Sequence, residues 1–207
     1  MKLYLIRHGE SEANSTSSHA GWAQVSLTEK GEGEARAVGA RLRLENLTFD
    51  RIYTSDLRRA RQTHALALPD TAAETTPLIR EVNVGALAGR RVAECRETLG
   101  EPYQAARRVF DFHAWGGENY SEFCTRILAF LRDMEQTDCA RAAAFCHGGV
   151  IHAVLEMLFS GTLNDGAPVP DVIGIDKPAF ACPNCGVFVF EFSNGKWKLL
   201  AWNLFGA

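Results

Sequence analysis

The sequence predicts an α/β protein: a three-layer sandwich with a mostly parallel central sheet flanked by helices and an antiparallel hairpin at its C-terminal edge. Three observations lead there. Short apolar runs at residues 2–6, 51–54 and 142–146 alternate with longer segments of helical periodicity. The chain closes in two strand-like runs, Val187 to Phe192 and Trp197 to Leu200, separated by Asn194-Gly195, the strongest short hairpin signal. A length of 207 residues with 46% hydrophobic and 23% charged side chains suits one sizeable core, or a core plus a small cap.

The elements follow in order. Lys2-Leu3-Tyr4-Leu5-Ile6 is a buried strand ending in Arg7-His8-Gly9, and residues 8–27, rich in Ser, Gly and Asn, read as loop. Thr28 caps a helix that opens with Glu29 and Glu32 and runs to about Glu45. After a strand at 51–54, Ser55 or Asp56 is expected to cap a helix through Ala67. Short apolar pieces near Leu78-Ile79 and helices between Val92 and Phe112 come next. Asn119-Tyr120-Ser121-Glu122 matches a capping box, and Phe123, Ile127, Phe130, Leu131 and Met134 recur at helical spacing over 120–136. The strand at 142–146 ends in His147-Gly148-Gly149, and a helix resumes from Val150 to Phe159. Residues 161–179, with Pro168, Pro170 and Pro178, read as an irregular surface loop that shapes a pocket rim.

Composition excludes several classes. A net charge of −3 and a pI near 6.1 offer no bulk attraction to nucleic acid or anionic lipid. No apolar run approaches a bilayer span, and the opening residues are too short and too charged for a signal peptide. Six cysteines lying mostly in apolar runs are not a disulfide framework, so a reduced, cytoplasmic protein is expected. The expected partner is a small molecule.

Chemistry concentrates where strands end. His8 and His147 each follow a strand and precede a glycine, and ligands of open α/β sheets collect at the carboxyl ends of strands. The glycines are expected to let backbone approach a ligand. Arg7 adjoins His8, and Arg58, Arg59 and Arg61 open the helix after the second strand. Two histidines, several arginines and helix N-termini around one pocket suit a dianionic phosphoryl group without a metal or other cofactor. Taken singly each has a bland reading: a strand-end histidine satisfied by backbone, or a solvated arginine face. Their combination and order carry the argument.

That combination resembles the histidine phosphatase superfamily, also called phosphoglycerate mutase-like, in its small cofactor-independent phosphatase branch. The matching segments are Arg7-His8-Gly9-Glu10-Ser11-Glu12-Ala13-Asn14, Leu27-Thr28-Glu29-Lys30-Gly31 and Ile52 to Thr63. Glu81 with Gly85 and Gly89, Gly116-Gly117-Glu118-Asn119, and His147-Gly148-Gly149-Val150-Ile151 complete the set. The resemblance spans residues 2–155 and the closing hairpin, and implies a single domain over 1–207 with 82–115 as a small cap-like insertion. It implies His8 as the nucleophile that forms a phosphohistidine, and Arg7, Asn14, Arg59 and His147 as the groups holding the phosphoryl oxygens. Glu81 is implied as the proton donor to the leaving oxygen and then as the base for water. His64 and His152 depart from the family pattern, which commonly has Ala and Arg there; neither is a core catalytic position, and each is expected to pack on a helix face, with a touch on substrate as the alternative.

Phosphoglycerate mutases resemble the chain but carry a longer insertion with basic residues. Here 82–115 supplies Arg90, Arg91, Arg96, Arg107 and Arg108, and its shortness favours a phosphatase acting on a small phosphorylated metabolite over a mutase. A phospho-ligand binding protein without catalysis is the reading from another class. Cys182-Pro183-Asn184-Cys185 lacks a second ligand pair for zinc and reads as small residues packing at a strand entrance. His19 and Trp22 are pocket-rim candidates. A homodimer through the C-terminal edge stays open beside a covered edge.

Overall fold

A computed structural model describes residues 1–171 and 181–205. Its sheet has six strands: β1 (Lys2–Arg7), β2 (Arg51–Ser55), β3 (Glu74–Thr76), β4 (Arg141–Cys146), β5 (Val187–Ser193) and β6 (Lys196–Ala201). They lie in the order β3-β2-β4-β1-β5-β6. The first four are mutually parallel, whereas β5 runs antiparallel to β1 and β6 antiparallel to β5. The expected mixed sandwich with an antiparallel C-terminal edge is the observed fold.

Alternation along the central strands supplies both faces. Leu3 and Leu5 point into the core built by α5 (Tyr120–Glu135) and α6 (Gly148–Phe159), with Phe123, Ile127, Leu131 and Val154. Tyr4 and Ile6 point the other way, against Val38 and Leu42 of α2 (Glu29–Leu44) and Ala67 of α3 (Arg58–Ala67). The expected N-caps of α2 and α5 are both present. Thr28 accepts from the Gly31 N–H, and Asn119 and Glu122 form a reciprocal capping box. Asn194 and Gly195 take φ 52° and 72°, the two left-handed positions of a type I′ hairpin.

Three local expectations change. A one-turn helix, α1 (Glu12–Ser15), interrupts the loop at 8–27, with Asn14 at the third position of a capping box begun by Ser11. Helix α3 starts only at Arg58 and has no side-chain cap. Asp56 is instead engaged in a bidentate ion pair with Arg80, and Ser55 Oγ meets His147. Strand β3 was not read in the sequence. The helices expected between Val92 and Phe112 are present as α4 (Val92–Val109), two helical segments joined across a kink at Gly100, where φ 59° and ψ −140° leave the helical region. The loop expected at 161–179 lies outside the described residues from 172 onward. Among the described residues, no helix is long and apolar enough to cross a membrane.

Candidate active site

Strand register brings the two histidines together. β1 and β4 pair in parallel with Arg7 opposite Cys146, so the next residues, His8 and His147, leave the sheet side by side. Their rings stand 5.2 Å apart at 61°. Both are shielded from water, at 4% and 0% exposure.

His8 has a defined tautomer. Its Nδ1 lies 2.7 Å from the Gly9 carbonyl, which can only accept, so Nδ1 carries the proton and Nε2 presents a lone pair. That lone pair receives the Arg59 Nε–H at 3.3 Å. Burial first, then the charges of Arg59 and Arg7, hold the ring's pKa well below its ordinary value. His8 is therefore a neutral imidazole aimed into the pocket.

Charge and donors surround it. Arg59, fully buried, donates to the carbonyls of Gly21 at 2.9 Å and Ala23 at 3.1 Å. Burial lowers its pKa to about 10, which still leaves it cationic at neutral pH. Arg7 donates to the Cys182 carbonyl, and its buried Nε has no partner among the described residues. His147 Nε2 lies 2.9 Å from Ser55 Oγ, which already accepts from the Leu57 N–H. Ser55 Oγ has no other acceptor among the described residues, so its proton goes to Nε2, and His147 Nδ1–H remains as a buried donor with no partner among them. Burial and the nearby arginines keep this ring neutral as well. Asn14 accepts at Oδ1 from the Ser11 N–H and Oγ, which leaves its NH2 as the group free to donate.

The Glu81 carboxylate meets the first turn of α6. Its Oε2 accepts from the Gly149 N–H at 3.2 Å and its Oε1 from the Val82 N–H at 3.0 Å. The backbone carrying it is tied from behind. The Glu81 carbonyl accepts from the Trp22 indole at 2.8 Å and from Arg126 at 2.9 Å, and Arg126 also holds the carbonyls of Leu78 and Arg80. Arg126 pairs with Glu118, whose carboxylate reaches on to the Asn83 N–H.

These groups line one cavity of about 360 Å³: Arg7, His8, Asn14, Arg59 and Glu81 all border it, together with Gly148 and Gly149. His147 stands behind, in contact with His8. All six expected site residues thus converge. His19 and His152 line the same cavity, whereas Trp22 works behind Glu81, its ring under the Arg80 guanidinium at 4.5 Å. His64 faces a separate groove with Arg58 and Arg61, its ring edge-on to Phe145. Gly9 differs from expectation: a Cβ there would stand 2.3 Å from the Gly31 carbonyl, so it admits the start of α2, not a ligand.

Several contributors escaped sequence reasoning because each acts across a long separation. Ser55, Arg126 and Asn184, which donates to the His8 carbonyl at 3.0 Å, are such cases. Asn184 lies inside the Cys182-to-Cys185 stretch, so that stretch braces the site through an amide and the Cys182 carbonyl as well as packing at a strand entrance.

The family model of the histidine phosphatase superfamily (branch 1) matches residues 3–204. A 2,3-bisphosphoglycerate-dependent phosphoglycerate mutase of Xanthobacter autotrophicus is 33% identical over 193 residues, covering 84% of this chain and 93% of the relative. A crystal structure of phosphoglycerate mutase from Thermus thermophilus is 32% identical with a TM-score of 0.69, covering 97% of this chain and 99% of that one. The α-ribazole phosphatase of Shigella flexneri is 25% identical with a TM-score of 0.79, covering 98% and 96%.

Proposed function

The chain belongs to the histidine phosphatase superfamily, and from that premise we propose that it is a phosphomonoester hydrolase working through a phosphohistidine at His8 on a small phosphorylated metabolite. The observation that carries this reading is the His8 tautomer, with Nδ1–H held by the Gly9 carbonyl and Nε2 aimed into a pocket of donors. In the first step Nε2 attacks phosphorus and the bond to the leaving oxygen breaks, while a protonated Glu81 gives its proton to that oxygen. Arg59 Nε–H, released from Nε2 as phosphorus approaches, turns to a phosphoryl oxygen. Arg7, His147 Nδ1–H and the Asn14 amide stabilise the others, which supplies positive charge without calling on a metal. In the second step Glu81, now a carboxylate, takes a proton from water. The water oxygen bonds phosphorus, the N–P bond breaks, and phosphate leaves with His8 neutral again.

The mutase reading has support in the relatives named above, and length does not set it aside: 97% of this chain covers 99% of the Thermus thermophilus phosphoglycerate mutase, so the two are of nearly equal length. The cap favours the hydrolase reading. Of the five arginines in 82–115, only Arg107 lines the cavity. Arg90 is paired with Glu94 and Arg108 with Glu101 on the outside. One cation is a poor match for a leaving group that carries both a carboxylate and a second phosphate. We therefore read the chain as one domain whose 82–115 segment covers a hydrolase pocket.

The test is phosphate release from a panel of monoesters, including p-nitrophenyl phosphate and 3-phosphoglycerate, with EDTA present, for wild type and His8→Ala. Release that persists with EDTA and vanishes in the variant supports the proposal. Phosphoglycerate interconversion without net release favours the mutase, and no turnover or modification of His8 with any ester favours a binding role.

A further inference from the structure

Phe110 ends α4 in the left-handed conformation, with φ 56° and ψ 46°. Glycine or asparagine usually takes that position, because a Cβ and a bulky ring are sterically disfavoured there. An aromatic side chain kept in such a backbone is held for what its ring does. The ring packs edge-on against Phe112 at 5.7 Å and Tyr120 at 5.9 Å. Phe110 also lines the cavity that contains His8.

The lining around it has a consistent character. Val82, Val84, Val92 and Phe112 join Phe110 as apolar lining beyond the phosphoryl-binding groups. His19 contributes an uncharged ring, because burial and then Arg107 pull its pKa to about 4. Its Nε2 is occupied by the Tyr103 hydroxyl at 2.5 Å. Arg107 is the one charged side chain of the cap in this lining, and Ser18 and His152 add the remaining polar character. A leaving group dense in hydroxyls would lose water here for few partners, and one with several charges would meet a single cation.

Building on the hydrolase reading above, we propose that this wall selects phosphate monoesters of aryl or other ring-bearing apolar alcohols carrying at most one negative charge, with Phe110 as the residue that sets the selectivity. The ring of the leaving group lies against Phe110 and Phe112, and an anionic substituent, where present, reaches Arg107.

The test compares kcat/KM for 1-naphthyl phosphate, glycerol 3-phosphate and 3-phosphoglycerate in wild type, Phe110→Gly and Phe110→Leu, with phosphorylation of His8 followed by mass for each ester. Glycine suits the left-handed backbone, so thermal stability serves as the folding control, and Phe110→Asn is the second variant that accepts it. Wild type is expected to favour the naphthyl ester by about tenfold or more, the scale on which apolar pockets discriminate. Phe110→Gly should lose about that factor for the naphthyl ester and less than about twofold for glycerol 3-phosphate, with Phe110→Leu between. A wild-type preference for either polar ester, or equal losses on all three, overturns the selectivity proposal while His8 phosphorylation still upholds the hydrolase. If no ester phosphorylates His8, the hydrolase reading falls and this one falls with it.

Discussion

Gly149 lies so close to Glu81 that a methyl group added at its Cα would stand 2.1 Å from the Glu81 Oε1 oxygen. The same residue donates its N–H to Oε2, so the first turn of α6 both holds the carboxylate and makes room for it. Gly149→Ala is expected to push Glu81 out of line and lower kcat by about 10- to 100-fold. Thermal stability should change little, since alanine favours the helix. An unchanged kcat would show that the close approach has no catalytic consequence.

Arg126 is the anchor behind that carboxylate. Arg126→Lys keeps a charge but cannot serve the carbonyls of Leu78, Arg80 and Glu81 together, nor grip Glu118 with two nitrogens. Steady-state kinetics should show kcat reduced by about tenfold with KM nearly constant, because the loop loses its aim and not its substrate contacts. Denaturant melts should show a loss on the order of 2 kcal/mol from the weakened, largely buried pair. A change confined to KM would contradict this role.

Arg59→Lys removes the bridge between the Gly21 and Ala23 carbonyls and His8 Nε2. The loss of a fixed donor on the phosphoryl group should cut kcat/KM by about 100- to 1000-fold. If lysine supports turnover within a fewfold of wild type, charge alone suffices and the planar fork is dispensable.

Stability should decline in mild acid. His8 and His147 have pKa values held well below the usual value by burial and then by neighbouring arginines, and His19 is lowered to about 4. In the unfolded chain all three titrate near about 6.5. As pH falls below that value the unfolded state takes up protons that the native state refuses, so stability present at neutral pH drains away toward the folded pKa values. The melting temperature should be lower at pH 5 than at pH 7, and less so for His19→Phe. A melting temperature independent of pH over this range would refute the assignment of three neutral histidines.

Burial pushes the thiols of Cys182 and Cys185 up to about 12, and the contact that Cys182 makes to Arg7 uses its carbonyl. Cys182→Ala and Cys185→Ala should each retain activity within about threefold, because neither sulfur is engaged in the chemistry. Loss of activity on mild alkylation of these two positions would argue for a reactive thiol instead.

Legibility in the sequence followed the range of the interactions. Helices α2 and α5 and the closing hairpin were readable because Thr28, the Asn119–Glu122 pair and Asn194-Gly195 act within four residues. The histidines were readable because strand ends gather ligands, whereas only the resemblance to the family set Arg59 apart from Arg58 and Arg61. Strand β3 was not, since Glu74-Thr75-Thr76 is polar and becomes a strand only by pairing with β2. The missing cap on α3 was equally hidden: Ser55 and Asp56 have the right chemistry for capping, yet His147 and Arg80 engage them from 92 and 24 residues away. Phe110 carries no local turn signal at all, because a left-handed phenylalanine is a choice against propensity.

The placement of β1 also bears on synthesis. Its neighbours are residues 141–146 on one side and 187–193 on the other, so the strand leading to His8 is made well before either partner and is sealed on both edges only once β5 has formed. Such distant pairing slows folding, and during translation β1 must wait for its partners as an apolar ribbon with open edges. A nascent chain released before residue 193 would leave that ribbon unpaired along one side. Catalytic competence should therefore appear abruptly, late in elongation, and ribosome-bound chains of graded length would date its arrival.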